Sequence, residues 1–152
     1  MNEEQRAHRG EAWMRSLEGI HYRIAYLGES EFTRAHIANA VSRLPGDVQD
    51  FACERCRFVS VGEGAMGITL PGSIGVNAHE KRSRNMWIIV LDDRIPVEEL
   101  DGVVAHEIAH AWLGHNRCEE VTVDDEVAAA TLTREWGFTG RGADPEAARL
   151  AG

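Results

Sequence analysis

Val103-Val104-Ala105-His106-Glu107-Ile108-Ala109-His110-Ala111-Trp112-Leu113-Gly114-His115 carries the pattern H-E-x-x-H between His106 and His110. On an α-helix, residues four apart differ by roughly 40° around the axis, so both imidazoles project from one face, one turn apart. That separation suits two nitrogens binding one tetrahedral Zn²⁺. Glu107, beside the first histidine, can reach a water at the metal rather than the metal itself, the place of a general base. A solvated surface helix is the competing description, and the flanks speak against it. Val103, Val104, Ile108, Ala111, Trp112 and Leu113 make this helix apolar on most sides, which predicts burial. Buried histidines and a buried carboxylate need partners.

Outward from this helix the chain alternates helical and extended patterns. Pro96 suits its first turn and Gly114 its C-terminal stop, which predicts a helix over 96–114. Before it, Met86–Leu91 is the clearest strand. Arg57–Val61 alternates as a strand does, Gly67–Leu70 suggests a second strand ended by Pro71-Gly72, and Ile74–Val76 a short third one. Ser30 reads as the N-cap of a helix through Arg43, and Asp47 can cap another through Glu54. Residues 1–29 are mixed: Trp13, Leu17 and Ile20 form an apolar stripe, and Tyr22, Ile24, Tyr26 and Leu27 a short extended run. After the H-E-x-x-H helix comes a polar connection over 115–123, then a helix over 124–136 ended by Gly137. From Thr139 onward the chain holds Gly, Ala, Asp and Pro with few large apolar residues. The expected organisation is therefore one domain over residues 1–138 and a flexible C-terminal tail over 139–152.

Two histidines do not complete a catalytic zinc site, which usually has three protein ligands and a water. The candidates are His115, Glu119, Glu120, Asp124, Asp125 and Glu126. On a continuing helix His115 would lie roughly 140° from the ligand face. A turn at Gly114 could redirect it, and its other role is a C-terminal histidine at the helix dipole or a polar group lining the cleft. Glu126 is favoured. It shares a helix face with Ala129 and Ala130, small residues that permit close packing against the His106 helix. Asp124 and Asp125 fit capping and solvation better, and remain alternatives as third ligand.

The stretch Val103–Phe138 resembles the ImmA/IrrE-like group of zinc metallopeptidases, whose fold is gluzincin-like. Those proteins carry an H-E-x-x-H helix, often continued as A-x-x-G-H, and a later helix of the approximate form E-x-x-A-N-x-F-A. This chain has His106-Glu107-Ile108-Ala109-His110-Ala111-Trp112-Leu113-Gly114-His115, then Glu126-Val127-Ala128-Ala129-Ala130-Thr131-Leu132. Glu126 falls on the ligand glutamate of that pattern, and Ala130 stands where Asn or Asp is usual. The resemblance implies an α+β fold, a minimal zincin-like domain. Its small, mostly antiparallel sheet of about three to five strands would pack on the H-E-x-x-H helix and neighbouring helices. It implies one Zn²⁺ held by His106, His110 and Glu126, with Glu107 as general base in hydrolysis of a peptide bond. Tyr22, Tyr26, His79 and His115 are the available donors for the oxyanion.

Composition narrows the partners. The chain has 152 residues, 43% of them hydrophobic, and a formal net charge of −9, which argues against nucleic acid as the main partner. Lys81-Arg82-Ser83-Arg84 is a local basic strip, read as a solvated loop. No stretch approaches the ~20 apolar residues of a membrane span. The N-terminus is charged and lacks an apolar signal core. Three cysteines, Cys53, Cys56 and Cys118, suggest reduced thiols. A cytoplasmic protein acting on a protein or peptide substrate is the expectation, and the near absence of lysine (Lys81 alone) has a GC-rich bacterial flavour. Cys53-Glu54-Arg55-Cys56 closes a predicted helix rather than opening one, so its thiols read as buried rather than redox-active. Cys118 is a weaker candidate ligand. Gly62–Gly67 lacks the G-K-[ST] ending of a phosphate loop. The alternative function is a zinc-binding interaction or regulatory domain without proteolytic activity, favoured by a closed four-ligand site. A third is hydrolysis of a non-peptide amide.

Overall fold

Period-two burial organises the centre of the molecule. Cys56 and Phe58 on one strand, and Trp87, Ile89 and Leu91 on another, are buried, while Arg57, Val59, Ile88 and Val90 between them are more open. The computed structural model describes residues 3–61, 67–73, 85–115 and 121–150. Its strands are β1 (Ala25–Leu27), β2 (Cys56–Val61), β3 (Gly67–Ser73) and β4 (Asn85–Asp92), arranged β1-β2-β4-β3. The register sets Tyr26 beside Phe58 and Phe58 beside Ile89, so a buried apolar row runs across the sheet.

The expected mostly antiparallel sheet is not what forms. β1 pairs with β2 in parallel, and β2 with β4 in parallel; β3 alone runs antiparallel, against β4. The cause lies in the connection between β1 and β2. It contains α3 (Glu31–Ser42) and α4 (Gly46–Arg55), a crossover long enough to return the chain to the starting edge before the next strand begins. The Met86–Leu91 segment is an inner strand, and β3 is the outer one beside it.

Local capping sets the helix boundaries. Ser30 Oγ accepts the Thr33 N–H at 3.1 Å to open α3, as its sequence predicts. Gly114, at φ +75°, closes α5 (Val97–Leu113). Asp47 does not cap α4; Pro45 occupies that position and Asp47 lies in the first turn. Before the sheet, α1 (Glu3–Arg15) and α2 (Leu17–Arg23) stand where the sequence gives a mixed signal. Ser16 Oγ caps α2 by accepting the Gly19 N–H at 3.1 Å, so Tyr22 is helical and the extended run begins only at Ala25.

α5 packs against β3 and β4, and also against α3 and α6 (Val123–Glu135). It supplies Leu100, Val103, Val104, Ile108 and Ala111 to the core, and that packing buries the turn bearing His110. Residues 139–150, expected as a flexible tail, form a 3-10 turn (Arg141–Ala143) and α7 (Pro145–Leu150) against α5 and α6. Glycines allow this contact. A Cβ on Gly102 would meet Thr139 O at 2.6 Å, and one on Gly142 would meet Gly102 O at 2.7 Å. The strap is therefore held by close backbone approach rather than by large apolar side chains. Among the described residues no helix is long and apolar enough to cross a membrane. The Ile74–Val76 strand, the Lys81–Arg84 strip and residues 62–66 of the Gly62–Gly67 loop lie outside the described residues.

Candidate metal centre

Three side chains from two helices converge. His106 and His110 lie one turn apart on α5, and Glu126 comes from the first turn of α6, where the exposed helix N–H groups favour a negative charge. His106 Nε2 is 3.1 Å from Glu126 Oε2 and 3.1 Å from His110 Nε2, and His110 Nε2 is 3.4 Å from Glu126 Oε2. These residues could hold a metal ion, and no other group of three or more His, Cys, Asp or Glu donors so placed occurs among the described residues.

The donor chemistry fits a cation. His106 Nδ1–H donates to the carbonyl of Gly142 at 2.7 Å, which leaves Nε2 of the neutral ring with a bare lone pair facing the cluster. Two imidazole lone pairs and a carboxylate oxygen held this close repel one another unless a positive charge sits among them. In a tetrahedral site with bonds of about 2.0–2.1 Å, neighbouring ligand atoms stand roughly 3.4 Å apart. The three observed separations lie at or slightly inside that spacing.

Burial alone would push the His106 imidazolium down. The hydrogen bond to Glu126, the charge of Glu107, the Gly142 carbonyl and the charge of Glu126 outweigh it and hold His106 above the ordinary histidine value.

Glu107 is 3% exposed, on the same helical turn as the two histidines. His115 does not join the donor cluster. The left-handed turn at Gly114 folds it back, its N–H donating to the His110 carbonyl at 3.0 Å, and its ring meets the far edge of the His110 ring: His110 Nδ1 to His115 Nδ1 is 2.9 Å. The other nitrogen, His115 Nε2, is 3.5 Å from Asp125 Oδ1. Asp125 is the reciprocal member of a capping box, its Oδ2 accepting the Thr122 N–H at 3.1 Å while Thr122 Oγ1 accepts the Asp125 N–H at 3.1 Å. The Thr122 N–H is the main cause holding the Asp125 carboxyl below its ordinary value. Asp124 is exposed in the same turn.

The remaining candidates separate cleanly. Tyr22 is 73% exposed and stacks on Trp13, and Tyr26 sits on β1, at the sheet edge opposite β3. His79, Cys118, Glu119 and Glu120 lie outside the described residues. Cys53 and Cys56 are free and buried, and burial pushes the Cys56 thiol up to about 12. Gly142 is the contributor that sequence reasoning misses. Any residue offers a carbonyl, so only the pair Gly102 and Gly142, each too crowded for a Cβ, marks the place.

No family model, curated protein or solved structure matches this chain.

Proposed function

We propose that the protein is a zinc-dependent metallopeptidase, with His106, His110 and Glu126 as ligands and Glu107 as general base. The observation that carries this reading is the convergence of His106 Nε2, His110 Nε2 and Glu126 Oε2 within 3.1–3.4 Å of one another, one residue from a buried glutamate. When bound, zinc supplies Lewis acidity, polarising a carbonyl and making water acidic near neutral pH. His106 and His110 present nitrogens, Glu126 a carboxylate oxygen, and Gly142 orients the His106 ring. Glu107 takes the proton of the attacking water and passes it to the departing amine.

Among the described residues three donors, rather than four, come together, which supports catalysis over a purely structural site. Both His115 nitrogens face other groups, His110 Nδ1 and Asp125 Oδ1, rather than the cluster. A peptide, rather than another amide, is supported by β3. Among the described residues it has β4 on one side and no strand on the other, and α5 packs against it, so an extended substrate can add to the sheet beside the site.

The test pairs metal content with turnover. After identical mild chelator washing, wild type should retain about one zinc per chain and Glu126→Ala much less. Glu107→Gln should keep the zinc and cleave none of a mixed peptide library that wild type cleaves. Hydrolysis retained in Glu107→Gln removes the general base. Zinc bound without cleavage of any peptide favours the interaction or regulatory role, and no zinc in wild type ends the metallopeptidase reading.

A further inference from the structure

We propose that His115, backed by Asp125, is a positioning residue that fixes the ring orientation and tautomer of His110; the proposal rests on the ligand set given above. His110 is fully buried and its Nε2 faces His106 and Glu126. On the opposite edge of the ring, its Nδ1 lies 2.9 Å from His115 Nδ1. Two ring nitrogens at that distance need one donor and one acceptor. A His110 that offers the lone pair of Nε2 to a metal carries its hydrogen on Nδ1, so His110 donates and His115 accepts. His115 then carries its own hydrogen on Nε2, the nitrogen 3.5 Å from the Asp125 carboxylate. Each group selects the tautomer of the next.

The origin of this series is firm. Asp125 is tied to the start of α6 through the capping box with Thr122, and it is the residue before Glu126. The cap that begins α6 therefore reaches the second ligand of α5 through His115 while its neighbour supplies the third ligand. Gly114 makes the arrangement possible, because its left-handed conformation ends α5 and brings His115 back under His110. Outer partners of metal-bound histidines commonly raise affinity in this way, by holding the ring and its basicity.

The zinc ion itself is the probe, its affinity measured by competition with a chromophoric chelator and folding followed separately by circular dichroism. His115→Ala should still bind one zinc per chain, with affinity lower by about 10- to 100-fold. His115→Gln, whose amide oxygen can accept from Nδ1, should recover part of the loss. Asp125→Asn should weaken binding less than His115→Ala does, and should have no further effect when combined with it, since the two act in series. Wild-type affinity in a folded His115→Ala protein overturns the proposal. So does loss of zinc to the level of His106→Ala with no recovery in His115→Gln, which would make His115 a ligand. If His115→Ala does not fold, wild-type affinity in Asp125→Asn overturns it instead. Failure of wild type to bind zinc defeats the ligand set as well, whereas strong zinc binding indifferent to these substitutions defeats the positioning role alone.

Discussion

At His106 the ring serves two partners. Nδ1–H is committed to Gly142, so Nε2 takes either a proton shared with Glu126 or a metal. The proton on metal-free His106 is held above the ordinary histidine value, so it contributes stability that is complete below the unfolded value of about 6.5 and is lost as pH rises through the folded value. Chelated wild-type protein should therefore melt at a lower temperature as pH is raised from slightly acid to alkaline. His106→Gln, which cannot titrate, should lack that component; identical pH profiles would refute the linkage. Cys53 and Cys56 lead to a different expectation. Both are buried with thiols held protonated, and Cys56 is pushed up to about 12, so neither should be alkylated by iodoacetamide in the native protein at neutral pH. Mass mapping showing rapid modification of either would contradict the structure. The grouping of His106, His110 and Glu126 was readable, because side-chain chemistry and helical spacing both lie in the sequence. The contact between His115 and His110 was hidden. A five-residue spacing on an unbroken helix points away from the ligand face, and only the turn at Gly114 reverses it.

Elements were legible where their signals are local. Ser30 and Gly114 mark helix ends through hydrogen bonds and backbone conformations that involve a few neighbours, and the structure keeps both. Strand direction is a property of connections. The two helices predicted between the extended run before Ser30 and the strand at Arg57 were themselves the sign of a parallel crossover, and the small sheet did not have to be antiparallel. α1 lacks any buried residue, so no apolar periodicity announces it. The element with most influence on the centre is α6, whose first turn holds the capping box and the glutamate together. Thr122→Ala should destabilise the protein by about 1 kcal/mol, read from chemical denaturation, and should also lower zinc affinity because the Asp125 and Glu126 backbone loosens. A stability loss with unchanged zinc affinity would separate the cap from the site.

Across the whole molecule, the centre draws on three regions of sequence: α5, the start of α6 and the strap after Phe138. The Gly102 and Gly142 contacts hold the strap to α5, with Phe138 buried beneath the Arg43 guanidinium at 4.3 Å. Gly102→Val would force Thr139 away from α5. A destabilisation of about 1–3 kcal/mol is expected from overpacking, together with faster proteolysis of the 139–150 segment and weaker zinc binding. Unchanged proteolysis and zinc affinity would mean that the strap does not depend on this contact. The polar, glycine-rich composition of the strap conceals its role, since what it contributes is a carbonyl and a close approach of backbones.

The carbonyl of Gly142 has a consequence for synthesis. Both histidines and Glu126 are made before the residue that orients His106. A growing chain that already carries every donor of the cluster still lacks one of the hydrogen bonds that aim them. The donor cluster is therefore fully oriented only once the strap has been translated and laid down against α5.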